Sequence, residues 1–187
     1  MITLLSTLSS LDGNILLWIQ ENLRSEFFTP LWSFITTSGN SGLIWIAITC
    51  FLLAFKKTRK VGATCALALI FSLLFTNLLM KPLVARVRPY DLIDGLRILI
   101  EKPHDFSFPS GHSSAAFAAA WVMLCRLPKK AGIPAIVYAL LMAFSRLYFG
   151  VHYSTDVLAG IIFGILYAVA AMWLVKKLTL FFGEQNA

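Results

Sequence analysis

The sequence predicts an all-α fold, a polytopic helix bundle embedded in a membrane, and three observations carry that reading. Of the 187 residues, 58% are hydrophobic and only 13% are charged. The mean hydropathy is +0.77, which describes a chain solvated by lipid rather than a soluble core of this size. Apolar runs of bilayer-spanning length also alternate with short basic clusters, the pattern in which membrane topology is written. The net charge of +7 resides in those clusters, which argues against nucleic acid as a partner. Residues 1–187 read as a single membrane-embedded domain, with no long internal repeat and no low-complexity tract.

Residues 1–26 form the first expected element. Ile15 to Ile19 with Trp18, followed by Glu21, Arg24 and Glu26, is too short and too interrupted to cross a bilayer and reads as an interfacial helix. No cleavable signal is expected, since Met1 to Leu11 lacks a basic start and a small-residue cleavage pattern. Phe27 to Thr37 and Leu43 to Phe55 flank a Thr-Ser-Gly-Asn-Ser-Gly turn cluster, so they are either two shortened spans or one broken one. Val61 to Met80 is a full-length span, Ala115 to Leu124 the core of another, Ile133 to Val151 a third and Val157 to Val175 the last. The expectation is about six helices, with five crossings as the alternative. Ala159, Gly160 and Gly164 place small residues where another helix can approach closely, and packing inside the bundle is favoured over a dimer contact. Cys50, Cys65 and Cys125 sit in apolar runs without paired spacing and read as small buried residues, not as a disulfide or metal set.

Orientation follows from the basic residues. Lys56, Lys57, Arg59 and Lys60, then Arg126, Lys129 and Lys130, then Lys176 and Lys177, follow alternate spans and mark the cytoplasmic side. The connections Lys81 to Ser110 and Gly150 to Thr155 then face the other side. Lys81, Arg86, Arg88, Arg97 and Lys102 run against the rule there. Asp91, Asp94, Glu101 and Asp105 offset some of them, and a solvated mixed-charge loop accounts for Arg97 and Lys102. It does not account for Lys81 and Arg88, which hug the membrane end of a span. They are seven apart, about two helical turns, unless Pro82 breaks the helix between them.

Three further places combine apolar surroundings with chemistry. Arg146 lies inside the apolar run Ile133 to Val151, where an arginine costs roughly 2.5 to 3.5 kcal/mol on insertion scales and so calls for an anionic partner or a watery cavity. His152 and Asp156 are four apart. A helix beginning near Ser154 would bring the carboxylate to one ring nitrogen and leave the other free to attack, although the same spacing also suits a histidine satisfied at a helix start. Ser110-Gly111-His112 precedes the alanine-rich run Ala115 to Ala120; Ser110 is a natural N-cap, and the free N–H groups of the first turn make an anion seat. His104 has no such setting and reads as a loop residue.

Together, Lys81 with Arg88-Pro89 after six intervening residues, Pro109-Ser110-Gly111-His112, and Ser145-Arg146 with His152 and Asp156 resemble the three-part motif of the type 2 phosphatidic acid phosphatases, the PAP2 family. The resemblance spans roughly Lys81 to Gly164; Val87 and Ser154 stand where many members carry proline. It implies a helical membrane bundle that shares its active site with vanadate-dependent haloperoxidases, uses no cofactor and no metal, and dephosphorylates lipids through a phosphohistidine. On this resemblance His152 would attack phosphorus, Asp156 would orient it, and His112 would protonate the leaving oxygen and later take a proton from water. Lys81, Arg88, Arg146, Ser110 and the N–H of Gly111 would hold the phosphate oxygens.

The expected partners are a membrane lipid substrate and the bilayer itself, in a multi-pass plasma-membrane protein whose site faces the extracytoplasmic side. Undecaprenyl diphosphate is the expected substrate on the assumption of a bacterial source, with phosphatidylglycerophosphate and phosphatidic acid as alternatives. A phosphate-headgroup binding or transport protein is the non-enzymatic rival, and its expected mark, loss of His152 or His112, is absent. A phosphotransferase with another acceptor than water is the enzymatic one.

Overall fold

The computed structural model describes residues 2–184, with side chains at 11–181; residues 1 and 185–187, at the ends of the expected domain, lie outside it. Among the described residues all regular secondary structure is helical, without strands. Its α-helices are α1 (Ile2–Asn22), α2 (Thr29–Ser38), α3 (Leu43–Ala54), α4 (Arg59–Phe71), α5 (Lys81–Val84), α6 (Gly111–Arg126), α7 (Lys129–Tyr148) and α8 (Ser154–Glu184). Three stretches are long and apolar enough to cross a membrane alone, Arg59–Asp91, Lys129–Tyr148 and Ser154–Phe181. The α2 and α3 segments join them as a pair bent by 53°, so the Gly-Asn-Ser-Gly cluster breaks one apolar stretch. Gly42, at φ +72°, takes the left-handed backbone that ends the break.

The 16-residue α6 is only about 24 Å long at 1.5 Å per residue, short of a full crossing, and it forms the centre of the bundle. Ala116, Ala118, Ala119, Ala120 and Val122 are buried within it, and α4, α7 and α8 pack around it. A Cβ on Gly160 would come within 2.6 Å of the Ser110 carbonyl, and one on Gly164 within 2.5 Å of the Ser114 carbonyl. The small residues of α8 thus serve contact with α6 inside the bundle, and they hold the start of α6 close to the start of α8.

The helix between Lys81 and Arg88 does break, but not at Pro82, which lies inside α5. A π-helical stretch, Ser72–Met80, continues α4 into α5; Pro82 has no N–H for the Leu78 carbonyl, and a widened turn accommodates that loss. The helix ends at Ala85, whose φ is +48°, so Arg88 lies in extended chain. Lys81 and Arg88 meet by loop geometry and not by sharing a helical face.

The interfacial segment expected over 1–26 is built on a longer helix than its apolar core suggested: α1 runs to Asn22. It is not among the helices long and apolar enough to span. Leu16 and Ile19 are buried, Leu16 beside Leu96 and Tyr153, so α1 lies against the loops at the end of the bundle where α6 and α8 begin. One expectation is corrected. Cys65 is buried, but Cys50 and Cys125 are exposed, since a thiol can face lipid at no more cost than another small apolar group.

Candidate functional site

The loop after α7 builds the centre of the site. Gly150, at φ +68°, reverses the chain, and its N–H and that of Val151 bond the carbonyls of Leu147 (2.9 Å) and Arg146 (3.2 Å), a helix ending that glycine makes possible. His152 follows and is 1% exposed. Asp156, in the first turn of α8, reaches back to accept the Tyr153 N–H at 3.0 Å, the acidic half of a capping box. That fold-back sets Asp156 Oδ2 3.5 Å from His152 Nδ1. Nδ1 has no other partner, and the separation is longer than a hydrogen bond, as ligand-free sites often are. The opposite ring nitrogen, Nε2, faces Arg88 Nη1 at 3.4 Å. Burial first, then the neighbouring Arg88, Arg146 and Lys81, holds the imidazole well below the ordinary value of 6.5. A neutral ring with Nε2 turned toward cations is arranged for nucleophilic attack on an anionic centre.

Three buried cations surround that nitrogen: Lys81 is 6% exposed, Arg88 4% and Arg146 3%. Arg88 Nη1 donates to the Val151 carbonyl at 2.5 Å and Nε to the Asp105 carbonyl at 2.8 Å. Asp105 also bridges the cations through its carboxylate, pairing with Lys81 and, at 2.5 Å, with Arg88 Nη2. Burial alone would push the Asp105 carboxyl up, but the hydrogen bond and charge of Lys81, with Arg88 beside it, hold it down to about 2. Arg146 bonds the Thr36 hydroxyl of α2, makes no ion pair with the described residues, and leaves its buried Nε without a partner. Two positive charges therefore remain unmatched, the complement of a phosphate dianion.

His112 stands at the start of α6, with Nε2 3.1 Å from Asn40 Oδ1 at the bend between α2 and α3. The close approach of that bend depends on Gly39, where a Cβ would fall 2.8 Å from the His112 ring. Ser110 caps α6 as expected, its Oγ accepting from Ser113 N at 3.4 Å and from Ser113 Oγ at 2.9 Å. Its own N–H donates to the Asp156 carbonyl at 3.1 Å, tying the beginnings of α6 and α8 together. Gly111 lies so near Asn77 that a Cβ would meet Oδ1 at 2.6 Å.

The eight residues singled out in the sequence thus fall at one end of the bundle, on four stretches of chain. Lys81, Asp105, Gly111 and His112 line a cavity of about 650 Å³ that continues past Ile46, Leu53, Leu69 and Leu73. Among the described residues no group of three or more His, Cys, Asp or Glu converges as a metal site would. Sequence reasoning passed over Asp105, Asn40, Ser107, Arg86 and Asp12. Ser107 Oγ donates to Asp156 Oδ2 at 2.5 Å, and Arg86 Nη1 donates to Oδ1 at 2.6 Å. The signal for Arg86 was present: it is one of the basic residues on the side where the positive-inside rule expects few.

The family model described as the PAP2 superfamily matches residues 61–180. An undecaprenyl-diphosphatase of Sulfolobus acidocaldarius is 36% identical over 121 residues, which cover 65% of this chain and 58% of that protein. The chain thus spans less than two thirds of that relative's length. The undecaprenyl-diphosphatase BcrC of Bacillus subtilis is 31% identical over 137 residues, 71% of this chain and 67% of the relative. The crystal structure of a transmembrane PAP2-type phosphatidylglycerolphosphate phosphatase from Bacillus subtilis superimposes with a TM-score of 0.73 at 30% identity, covering 90% of this chain and 86% of that one.

Proposed function

Because the chain belongs to the PAP2 superfamily, we propose that it is an integral membrane lipid phosphatase that removes a terminal phosphate through a phosphohistidine at His152. The observation that carries this is the pair of unmatched positive charges beside a buried, neutral imidazole. Arg146 above all has no anion of its own among the described residues, and a substrate phosphate would supply it. Lys81, Arg88, Arg146 and the N–H of Gly111 hold the nonbridging oxygens, with Ser110 at the edge of the cradle. Charge developing in line between nucleophile and leaving group then meets donors already in place.

In the first step Nε2 of His152 forms the N–P bond as the P–O bond to the lipid breaks, and His112 gives its proton to the departing oxygen. Asp156 stabilises the imidazolium that results. In the second step His112 takes a proton from water, whose oxygen attacks phosphorus, and the N–P bond breaks to release phosphate and neutral His152. The residues present accomplish this without a metal or a cofactor.

The substrate proposed is a prenyl diphosphate such as undecaprenyl diphosphate, which two of the relatives are named for hydrolysing. The apolar continuation of the cavity past Ile46, Leu53 and Leu73 suits a lipid tail beside a phosphate cradle. A phosphatidylglycerophosphate substrate is the second reading, favoured by the similarity to the phosphatidylglycerolphosphate phosphatase of known structure. The basic loops at 56–60 and 126–130 support a catalytic end on the extracytoplasmic side of a plasma membrane. Comparing kcat/KM for undecaprenyl diphosphate, phosphatidylglycerophosphate and phosphatidic acid in one membrane mimic, with chelator present, tests the reading. Preference for the diphosphate with inhibition by vanadate is expected. A preference for either glycerolipid overturns the substrate, and reversible loss of all activity on metal removal overturns the mechanism.

A further inference from the structure

Asp156 is wholly buried, and a carboxylate in that state needs its lone pairs satisfied. Ser107 and the Tyr153 N–H serve Oδ2, the oxygen that faces His152. Oδ1 has a single partner among the described residues, Arg86 Nη1 at 2.6 Å. The same Nη1 lies 2.7 Å from Thr155 Oγ1, while Nη2 pairs with Asp12 Oδ2 at 3.0 Å. The guanidinium also stacks on Tyr153, with Cζ 3.8 Å from the ring centroid. Its plane is therefore set from four directions.

Asp12 is the anchor. It is 2% exposed although it lies in α1, and it accepts from Arg86, from the Ser154 hydroxyl, from Thr155 N at 3.1 Å and from Thr155 Oγ1 at 2.5 Å. It thereby sits at the N-terminal end of α8, where free N–H groups favour a negative charge. Burial would raise the Asp12 carboxyl, but these bonds from Ser154, Thr155 and Arg86 bring it below the ordinary value, so it is an anion in the folded protein.

We infer that Arg86 and Asp12 form a positioning relay for the reaction: Asp12, carried by α1, holds Arg86, and Arg86 holds the Asp156 carboxylate in the orientation that His152 requires. Neither residue touches the phosphate cradle, in which Lys81, Arg88 and Asp105 bond one another. Arg86 is directed instead at the face of Asp156 away from the imidazole. Its fork spans three oxygens on two stretches of chain, so that the loop after α5 is clamped to α1 and α8 at once. Lysine carries the same charge without that planar fork and cannot make all three contacts. The N-terminal helix is on this view part of the catalytic apparatus and not only a membrane-surface anchor.

The inference rests on the phosphohistidine reading, and the experiment separates the two. The full-length chain and its Arg86→Met, Arg86→Lys, Asp12→Asn and Arg86→Met/Asp12→Asn variants are purified in one detergent, and kcat, KM and the inhibition constant for vanadate are measured on a lipid diphosphate. A relay predicts a kcat loss on the order of 10²-fold for Arg86→Met, partial recovery in Arg86→Lys and a smaller loss for Asp12→Asn, with KM and vanadate binding within about threefold of the parent. The double variant should lose no more than Arg86→Met alone, because both act through one carboxylate. Weakened vanadate binding with kcat retained would make Arg86 a phosphate ligand and overturn the relay. Lower thermal stability with kcat unchanged in all variants would reduce both residues to scaffold and overturn it as well. If the parent itself forms no phosphohistidine, the underlying reading and the relay fall together; if the parent does and the variants match it, only the relay falls.

Discussion

Replacing Arg146 with methionine should leave a protein about as stable as the parent and nearly inactive. The guanidinium is 3% exposed and has no carboxylate partner among the described residues, and its Nε is unbonded. Its desolvation, several kcal/mol per buried ion, is offset mainly by the bond to Thr36, and such a bond to a charged group returns only about 1.5 to 3 kcal/mol. Methionine fills similar space without a charge to desolvate. Substitutions of this kind for buried ionic groups range from neutral to about 4 kcal/mol stabilising; set against about 1–3 kcal/mol for the orphaned Thr36 hydroxyl, the two nearly cancel, and the expectation is a melting temperature within a few degrees of the parent. Loss of one transition-state donor should lower kcat by about 10²- to 10³-fold. Thermal unfolding in detergent, with and without phosphate, and kcat on a lipid diphosphate read both effects. Phosphate at a hundred times its dissociation constant stabilises a binding protein by about 2.7 kcal/mol, and the variant should gain less than the parent. A variant that melts many degrees lower yet turns over within threefold of the parent would refute the reasoning, because Arg146 would then be structural.

Asp105→Asn removes the carboxylate that bridges Lys81 and Arg88 in the ligand-free protein. Its carboxyl is held at about 2 against an ordinary 3.8, but the side chain is 52% exposed, so solvent screening reduces the competition to about 1 kcal/mol. Vanadate should therefore bind roughly fivefold more tightly to the variant, and weaker binding would show that Asp105 orients the cations instead. His152, held below 6.5 when folded, binds its proton less readily than in the unfolded chain. The stability it confers is thus full above about pH 6.5 and lost as pH falls below it, at up to about 1.4 kcal/mol per pH unit. A His152→Gln variant should show a shallower fall of melting temperature between pH 6.5 and 5, and parallel curves would contradict this. His112→Ala should cost about 10²- to 10⁴-fold on a lipid substrate but far less in phosphorylating His152 from a substrate with a good leaving group.

The convergence of the candidate site was legible because ionisable groups stand out in a chain of 58% hydrophobic residues, and Arg146 in particular had no bland explanation. A close helix contact inside the bundle was equally legible from Gly160 and Gly164, although not that α6 would make it. Partners joined across long stretches of chain were not: Arg86 and Asp156 are 70 residues apart, and Asp12 and Thr155 are 143 apart. Asp12-Gly13-Asn14 reads as a polar break until α8 is seen to begin beside it, and Asn40 reads as a turn residue until the bend meets His112. Pro82 posed a question that composition cannot answer, since whether a proline breaks a helix depends on the turn before it relaxing, as Ser72–Met80 does.

The most direct measurement is a rapid-quench reaction of the protein with a lipid diphosphate labelled in its terminal phosphate, in the presence of chelator, followed by peptide mapping of the trapped phosphate. Acid-labile, base-stable phosphate on the peptide containing His152 is expected, accumulating further in His112→Ala supplied with a good leaving group and absent from His152→Ala. Turnover at the full parental rate by His152→Ala, or label trapped on any other residue, would contradict it.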